Sequence, residues 1–342
     1  MSLKEIAKTL GLSITTVSRA LNGYPEVSEK TRSLVMAAAK AGGYSPNPQA
    51  RSLVTGKMDA VGIIYPISRN DLGDPTFLDT IASLAMRLDQ ADMDLVISSA
   101  VVGDELRAYR RMLSRRRVDG LIVAQTLVQD PRLEFLQQQK FPFVAYGRSD
   151  SCERYPWFDF DNRAGLKMAV DRLLSFGHRR IALISASTTA PTTLNFAAQR
   201  RTGYLDGLAA AGIAVDPAYI VDDVFDRRSG YSAMQQLLAL AQRPSAVVVD
   251  NNLGGIGVMR ALLDAGVVAG RDLSVIIYDG LPPDTLVDTT VTSVIQPEPG
   301  KVGQQLAEMM LALLAGEDLS RLQVLWQPEI QVGTSDGPCR TP

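Results

Sequence analysis

At 342 residues the chain is long enough for two or three domains, each with a core of its own, and 46% hydrophobic with 21% charged residues excludes wholesale disorder. A single histidine, His178, excludes a multi-histidine metal site, and two cysteines, Cys152 and Cys339, provide neither a ligand cluster nor a disulfide framework. The net charge of −2 is unevenly divided: residues 1–57 hold eight Lys/Arg against three acids and the remainder 27 against 34, a basic head on an acidic body.

No catalytic residue, metal or cofactor is expected on these counts. Met1-Ser2-Leu3-Lys4-Glu5 shows no basic segment leading into an apolar stretch, and the longest apolar runs, 60–65 and 309–315, fall far short of the ~18 residues of a membrane span. A cytoplasmic protein without a membrane partner is expected.

The first 45 residues predict three short helices. Ser2 and Glu5 form a capping box, and Leu3, Ile6, Ala7 and Leu10 follow at helical spacing. Gly11 tolerates a turn and Ser13 can cap a second helix from Ile14. On it Val17, Ala20 and Leu21 can pack inward, while Thr15, Ser18, Arg19 and Asn22 recur on another face, as a helix in a major groove would show. Gly23-Tyr24-Pro25 ends it; Ser28 can cap a third helix, whose Thr31, Val35 and Ala38 complete a small core. Asn47-Pro48 then signals a further helix start, but the segment lasts only to about Thr55. A helix of two turns is marginal alone, so it should order only against a partner.

From Asp59 onward strand and helix patterns alternate. Runs 60–65, 95–98, 120–124, 143–146, 180–185, 246–249 and 273–278 predict strands, separated by helical stretches such as 77–90 and 164–176. Such alternation predicts parallel α/β sheets; about 280 residues of it exceeds one doubly wound sheet. Two lobes are therefore expected, with ligands at the carboxyl ends of the strands.

The sequence resembles the LacI/GalR family of bacterial transcription regulators. The resemblance rests on Leu3-Lys4-Glu5-Ile6-Ala7, Thr16-Val17-Ser18-Arg19-Ala20-Leu21-Asn22, Val27-Ser28-Glu29-Lys30-Thr31-Arg32 and Gly43-Tyr44-Ser45-Pro46-Asn47, then Phe176-Gly177-His178-Arg179-Arg180-Ile181-Ala182, Arg200 with Gly203-Tyr204, and Asp279. It implies an α/β chain of three parts. Residues 1–45 are a helix-turn-helix head, 46–58 a hinge helix, and 59–342 a two-lobed body like periplasmic binding proteins. Lobe 1 is expected at about 59–159 and 295–323, lobe 2 at about 160–294 and 324–336.

The resemblance also implies roles. The second helix would enter the major groove with Ile14, Thr15, Ser18 and Arg19; Arg19 suits guanine O6 and N7, and Thr16 or Ser18 suits phosphate. Packing at the helix entry is the alternative for Ile14, a phosphate contact or solvated charge that for Arg19. The segment after Asn47 matches a hinge helix in which Leu53, with Ala50 beside it, wedges into a minor-groove step; Pro48 departs from many hinges but fits a first helical turn. Cleft positions for a carbohydrate effector are Phe77, Phe160, Arg200, Asn251, Asp279 and Gln296, guanidinium and carboxylate pairing with hydroxyls and aromatic faces covering C–H surface. For Arg200, Asp279 and Asn251 the alternative is a cap or salt bridge; for Phe77, Phe160 and Trp157 it is core packing. His178 is expected to be structural.

Three departures weigh on effector identity. Asn251-Asn252 replaces the common Asn-Asp, Gly147-Arg148 the common Asp-Arg, and Gly280 rather than an acid follows Asp279. The expected function is a dimeric repressor of a pseudopalindromic operator, controlled by a small sugar, whose acidic body is repelled by DNA. No leucine heptads follow the last strand, which favours a dimer over a tetramer. A sugar-transport protein and an enzyme are the other classes weighed; the basic head and missing signal oppose the first, and the lack of a Gly-rich phosphate loop or Gly-x-Ser-x-Gly elbow opposes the second.

Overall fold

Capping side chains set the limits of the first helices in a computed structural model that describes residues 1–21, 24–44, 56–66, 75–101, 103–151, 154–187, 193–282, 285, 289–296 and 299–340. In α1 (Leu3–Leu10) the Ser2 and Glu5 side chains each accept from the other's backbone N–H, at 3.3 and 2.7 Å, and Gly11 closes the helix at φ 64°. Ser13 Oγ accepts from Thr16 N at 3.0 Å to start α2 (Ile14–Leu21), and Ser28 does the same for α3 (Glu29–Ala41). Ile6, Ala7, Val17, Ala20, Val27, Val35 and Ala39 bury one small core. Ala39 takes the central place expected for Ala38, which lies at its edge. Residues 1–59 form one compact unit and 60–342 another.

The body holds two six-stranded sheets. The first, entirely parallel, runs β11 (Gln323–Trp326), β5 (Trp157–Phe160), β4 (Phe143–Tyr146), β3 (Gly120–Val123), β1 (Ala60–Pro66), β2 (Asp94–Ala100). Helices α4 (Pro75–Asp89) and α11 (Val302–Leu314) cover it with Leu84, Leu88, Leu306 and Met310; α5 (Glu105–Ser114) and α6 (Pro131–Gln138) bury Tyr109, Met112, Leu133 and Leu136. The second runs β12 (Glu329–Gln331), β10 (Thr292–Ile295), β9 (Ser274–Tyr278), β8 (Ala246–Val249), β6 (Ile181–Ile184), β7 (Ile220–Val221), with only β12 antiparallel. Its central strands β6, β8 and β9 are mostly Val, Ile, Leu and Ala because both faces are covered, by α7 (Asn162–Ser175), α8 (Asn195–Ala210), α9 (Arg227–Leu238) and α10 (Asn252–Asp264).

The chain passes between sheets three times, after β5, after β10 and between β11 and β12. It stays in the first sheet through Trp326, beyond the crossing expected after residue 323, since Val324, Leu325 and Trp326 continue the ladder with Phe158, Asp159 and Phe160. One close helix contact matters for the site. A Cβ at Gly203 of α8 would stand 2.1 Å from the Arg163 carbonyl oxygen of α7, so only glycine lets these helices meet there.

His178, in the turn from α7 to β6, is 2% exposed. Its Nδ1 meets Ser245 Oγ at 2.9 Å, and its Nε2 meets Ser274 Oγ at 2.9 Å and the Gly337 carbonyl at 3.0 Å, tying the carboxyl-terminal segment to β8 and β9. Burial holds the imidazole pKa below its usual 6.5, against the opposing pull of the Gly337 carbonyl and Asp336. The unfolded chain therefore binds the extra proton first, so this stability is complete above pH 6.5 and is lost as pH falls below it. Urea unfolding midpoints of wild type should fall between pH 7 and about 5.5 more steeply than those of His178→Gln.

Candidate functional site

The polar face of α2 is presented as its spacing dictates. Val17 and Ala20 point into the core, while Ile14 (48% exposed), Thr15 and Arg19 are exposed. Packing at the helix entry is thus not what Ile14 does. Arg19 has no side-chain partner among the described residues, so its guanidinium is available. Ser18 is half-buried, and the Thr16 hydroxyl is engaged with Ser13 Oγ at 2.8 Å. Asn22, Asn47, Ala50 and Leu53, and with them most of the expected hinge, lie outside the described residues.

In the body one cavity opens between the carboxyl ends of the two sheets. Phe77, Phe160, Arg200, Asn251, Asp279 and Gln296 all line it, from both lobes; Trp157 does not and instead lies under the Arg148 guanidinium, 5.5 Å from its ring. Arg200 is 4% exposed. Its Nε donates to Asn162 Oδ1 at 2.8 Å, Nη1 to the Asp250 carbonyl at 2.5 Å and Nη2 to Asp279 Oδ2 at 3.4 Å, and it lies 3.4 Å over the Tyr278 ring and 4.8 Å from Phe196. Burial alone would lower its pKa, but Asp279, Tyr278 and Asp250 raise it further than burial lowers it.

Asp279, immediately after β9, stands at φ 64° and divides its carboxylate between Arg200 and Gln296, whose Nε2 donates to Oδ1 at 2.9 Å. That bond fixes the amide's orientation and leaves Gln296 Oε1 a buried acceptor with no partner. Asp250, fully buried, accepts from Ser185 Oγ at 2.6 Å and Ala186 N at 2.9 Å; burial raises its pKa, with Arg200 opposing. Asp159 is likewise raised by burial and opposed by Arg148, at 2.8 Å.

Two expected cleft residues are mainly structural. Asn251 caps α10: its Oδ1 accepts from Gly254 N at 2.7 Å, and its Nδ2 donates to the Val224 carbonyl and to Asp250. Phe160, 2% exposed, packs edge-on against Phe158 and Trp326. Phe77 does face the cavity, with Tyr65 at 4.1 Å between ring centroids. Sequence reading missed Tyr65, Gln125, Asn162 and Phe196, and singled out Asn252 only as a departure, not as a cleft residue. Gln125, Asn162 and Asn252 follow strands and obey the carboxyl-end rule that flagged Asp279, whereas Phe196 sits on a helix and carries no such signal. Asn252 Nδ2 reaches Thr76 Oγ1 of the other lobe at 3.4 Å. Among the described residues no group of three His, Cys, Asp or Glu could hold a metal ion, and no helix is long and apolar enough to cross a membrane.

Residues 2–47 match the model of "Bacterial regulatory proteins, lacI family", and residues 58–325 that of "Periplasmic binding proteins and sugar binding domain of LacI family". The chain is 38% identical over 336 residues to the HTH-type transcriptional regulator RafR of Escherichia coli, covering 98% of each. It is similar to the crystal structure of the lac repressor dimer bound to operator and the anti-inducer ONPF (TM-score 0.82, 25% identity) and to a complex of the transcriptional regulator CelR with cellobiose (TM-score 0.72, 27% identity), covering 98% of this chain and 99% of the other in both cases.

Arg200→Met removes the guanidinium that links the Asp250 carbonyl to Asp279 and should cost roughly 3–5 kcal/mol in denaturant unfolding, as the breaking of a buried charge network does. Arg200→Lys should recover less than half of this, because one ammonium cannot reproduce the forked contacts to Asn162 and Asp250.

Proposed function

The chain belongs to the LacI family of bacterial regulatory proteins, as a DNA-binding transcriptional regulator with a sugar-binding domain, and from that premise we propose that it is a cytoplasmic homodimeric repressor whose hold on a pseudopalindromic operator is set by a small carbohydrate. The observation that carries this reading is the cavity: its walls come from both lobes, so a ligand in it contacts both at once. A ligand that fits one lobe arrangement better than another shifts the balance between them, and DNA that favours the other arrangement must oppose it reciprocally.

The lining suits a polyol. The Asp279 carboxylate and Gln296 Oε1 are acceptors for hydroxyl donors, Asn252 and Gln125 add amide groups, and Phe77, Tyr65 and Phe196 supply aromatic faces for C–H surface. With Asn251 committed to its cap, Asp279, Gln296 and Asn252 carry the polar selection. The complex of the relative CelR with cellobiose supports a sugar.

The dimer is supported by apolar side chains left in water. Leu78 and Met86 of α4 are 50% and 68% exposed, and Ile97 on the unpaired edge strand β2 is 54% exposed. Two heads related by a two-fold axis would read two half-sites, α2 offering Thr15 and Arg19 to base edges, Ile14 to apolar contact, and Ser18 and Thr16 to the backbone. Residues 46–58 would form the hinge, with Asn47 as its cap and Leu53 as the wedge beside Ala50.

Two variants test the head. On an operator recovered from a random duplex pool, Arg19→Ala should weaken binding about tenfold to a hundredfold in anisotropy titrations, one bidentate contact being worth ~1–3 kcal/mol, while sugar-induced thermal stabilisation stays as in wild type. Leu53→Ala should lower the DNA bend seen by energy transfer between end labels and weaken operator binding more than non-specific binding; equal bending in the two proteins would remove Leu53 from the groove.

A further inference from the structure

The acidic balance of the body conceals a run of six arginines, Arg107, Arg110, Arg111, Arg115, Arg116 and Arg117, within eleven residues. All six are exposed. Ala108, Tyr109 and Met112 turn inward, so on α5 the first three arginines share the outer face at i, i+3 and i+4. Arg115 follows as the helix cap and Arg116 takes φ 44°, so the last three leave the helix end in successive directions.

Elsewhere in the body arginines such as Arg132, Arg148, Arg163, Arg172 and Arg201 meet carboxylates within 4 Å. Among the described residues none of these six does. Arg111 donates to the Ser99 carbonyl at 3.4 Å and Arg110 lies 5.8 Å from the Phe135 ring, which leaves Arg107, Arg115, Arg116 and Arg117 without a side-chain partner among the described residues. The negative end of the helix dipole accounts for one or two cations at α5's last turn, not for six. Six like charges in so short a span repel one another, a standing cost that an anionic partner would relieve.

The position of the run bears on what that partner is. α5 runs antiparallel to the strands, so its last turn and Arg115–Arg117 stand at the amino-terminal end of the first sheet, away from the cavity at the carboxyl ends. Asp119 N, two residues on, donates to the Ala60 carbonyl at 2.8 Å. This is the end at which the chain enters the body from the head. A duplex held by the head is thereby tethered to this end of the lobe and offers its phosphates at high effective concentration.

We propose that this arginine run is a second, sequence-independent DNA-contact surface, taking backbone phosphates of the duplex that the head holds. The proposal rests on the head's binding DNA. Its chemistry fits: every cation in the run is a guanidinium, whose planar fork pairs with phosphate oxygens in bidentate fashion, and α5 presents Arg107, Arg110 and Arg111 over about 6 Å of helix, roughly two base steps of duplex, before Arg115–Arg117 extend the row. The acidic body is then not uniformly repelled by DNA, but meets it through one cationic edge.

The test compares the full-length wild type with Arg107→Gln/Arg115→Gln/Arg116→Gln/Arg117→Gln on a random-sequence duplex of about 40 base pairs, by anisotropy across a series of KCl concentrations. The four positions are exposed and unpaired, so melting temperature and sugar-induced stabilisation should match wild type. The proposal expects the slope of log K against log [salt] to shrink by about 2 or more, at ~0.9 per phosphate contact, with at least about fivefold weaker binding near 0.1 M salt. Equal slopes in two proteins that both bind the duplex overturn it and leave the head reading intact. A wild type that fails to bind the duplex overturns the head reading and this proposal with it. Equal slopes together with loss of poly-L-glutamate binding in the variant overturn it in favour of an acidic protein partner.

Discussion

The buried guanidinium of Arg200 is the constraint on which the cavity depends. A charge at 4% exposure needs partners from the protein itself, and here three elements supply acceptors: Asn162 at the start of α7, the Asp250 carbonyl after β8 and Asp279 after β9. To reach them α8 must lie close on α7, which Gly203 permits, and Asp279 must adopt a left-handed backbone. The same carboxylate then turns Gln296 so that its carbonyl oxygen stays unsatisfied. Arg200 is thus held at three points, while Gln296 Oε1 on the cavity wall meets no donor among the described residues.

Much of this was legible in the residues, for reasons of periodicity and rarity. Capping pairs located α1 and α3, and the inward stripe of Val17 and Ala20 fixed which face of α2 is outward. The seven runs predicted as strands are all strands. Strands β5, β7 and β10–β12 were not read, because two to four residues such as Ile220–Val221, Thr292–Ile295 or Glu329–Gln331 carry too short a pattern to separate from loop. Their absence moved the last crossing: Trp326 is still in the first sheet because it pairs with Phe160, a long-range contact that sequence does not display.

At the site, legibility failed in one particular way. Sequence gives a residue's place but not how its hydrogen bonds are spent. Asn251 and Asn252 look equivalent, yet Asn251 closes a helix end while Asn252 reaches across to Thr76. Phe160 and Phe77 look equivalent too, yet Phe160 reaches the cavity wall from within the core, packed on Phe158, while Phe77 is only partly buried and stands beside Tyr65. The Asn252 amide therefore bears on the cavity more than the Asn251 amide does, since it is the group that reaches both lobes. Charge shows the same limit: a net value for the body averages away the exposed arginine run on and just after α5.

The central claim is that one chain couples a sugar in the inter-lobe cavity to DNA on its head. Titration calorimetry of a panel of oligosaccharides against the full-length protein, with and without saturating operator duplex, tests it most directly. The account predicts that a binding sugar changes its affinity when DNA is present, by the same factor and in the same direction as that sugar changes operator affinity, typically 5- to 150-fold. A sugar bound in the cavity with equal affinity in the two conditions would contradict it.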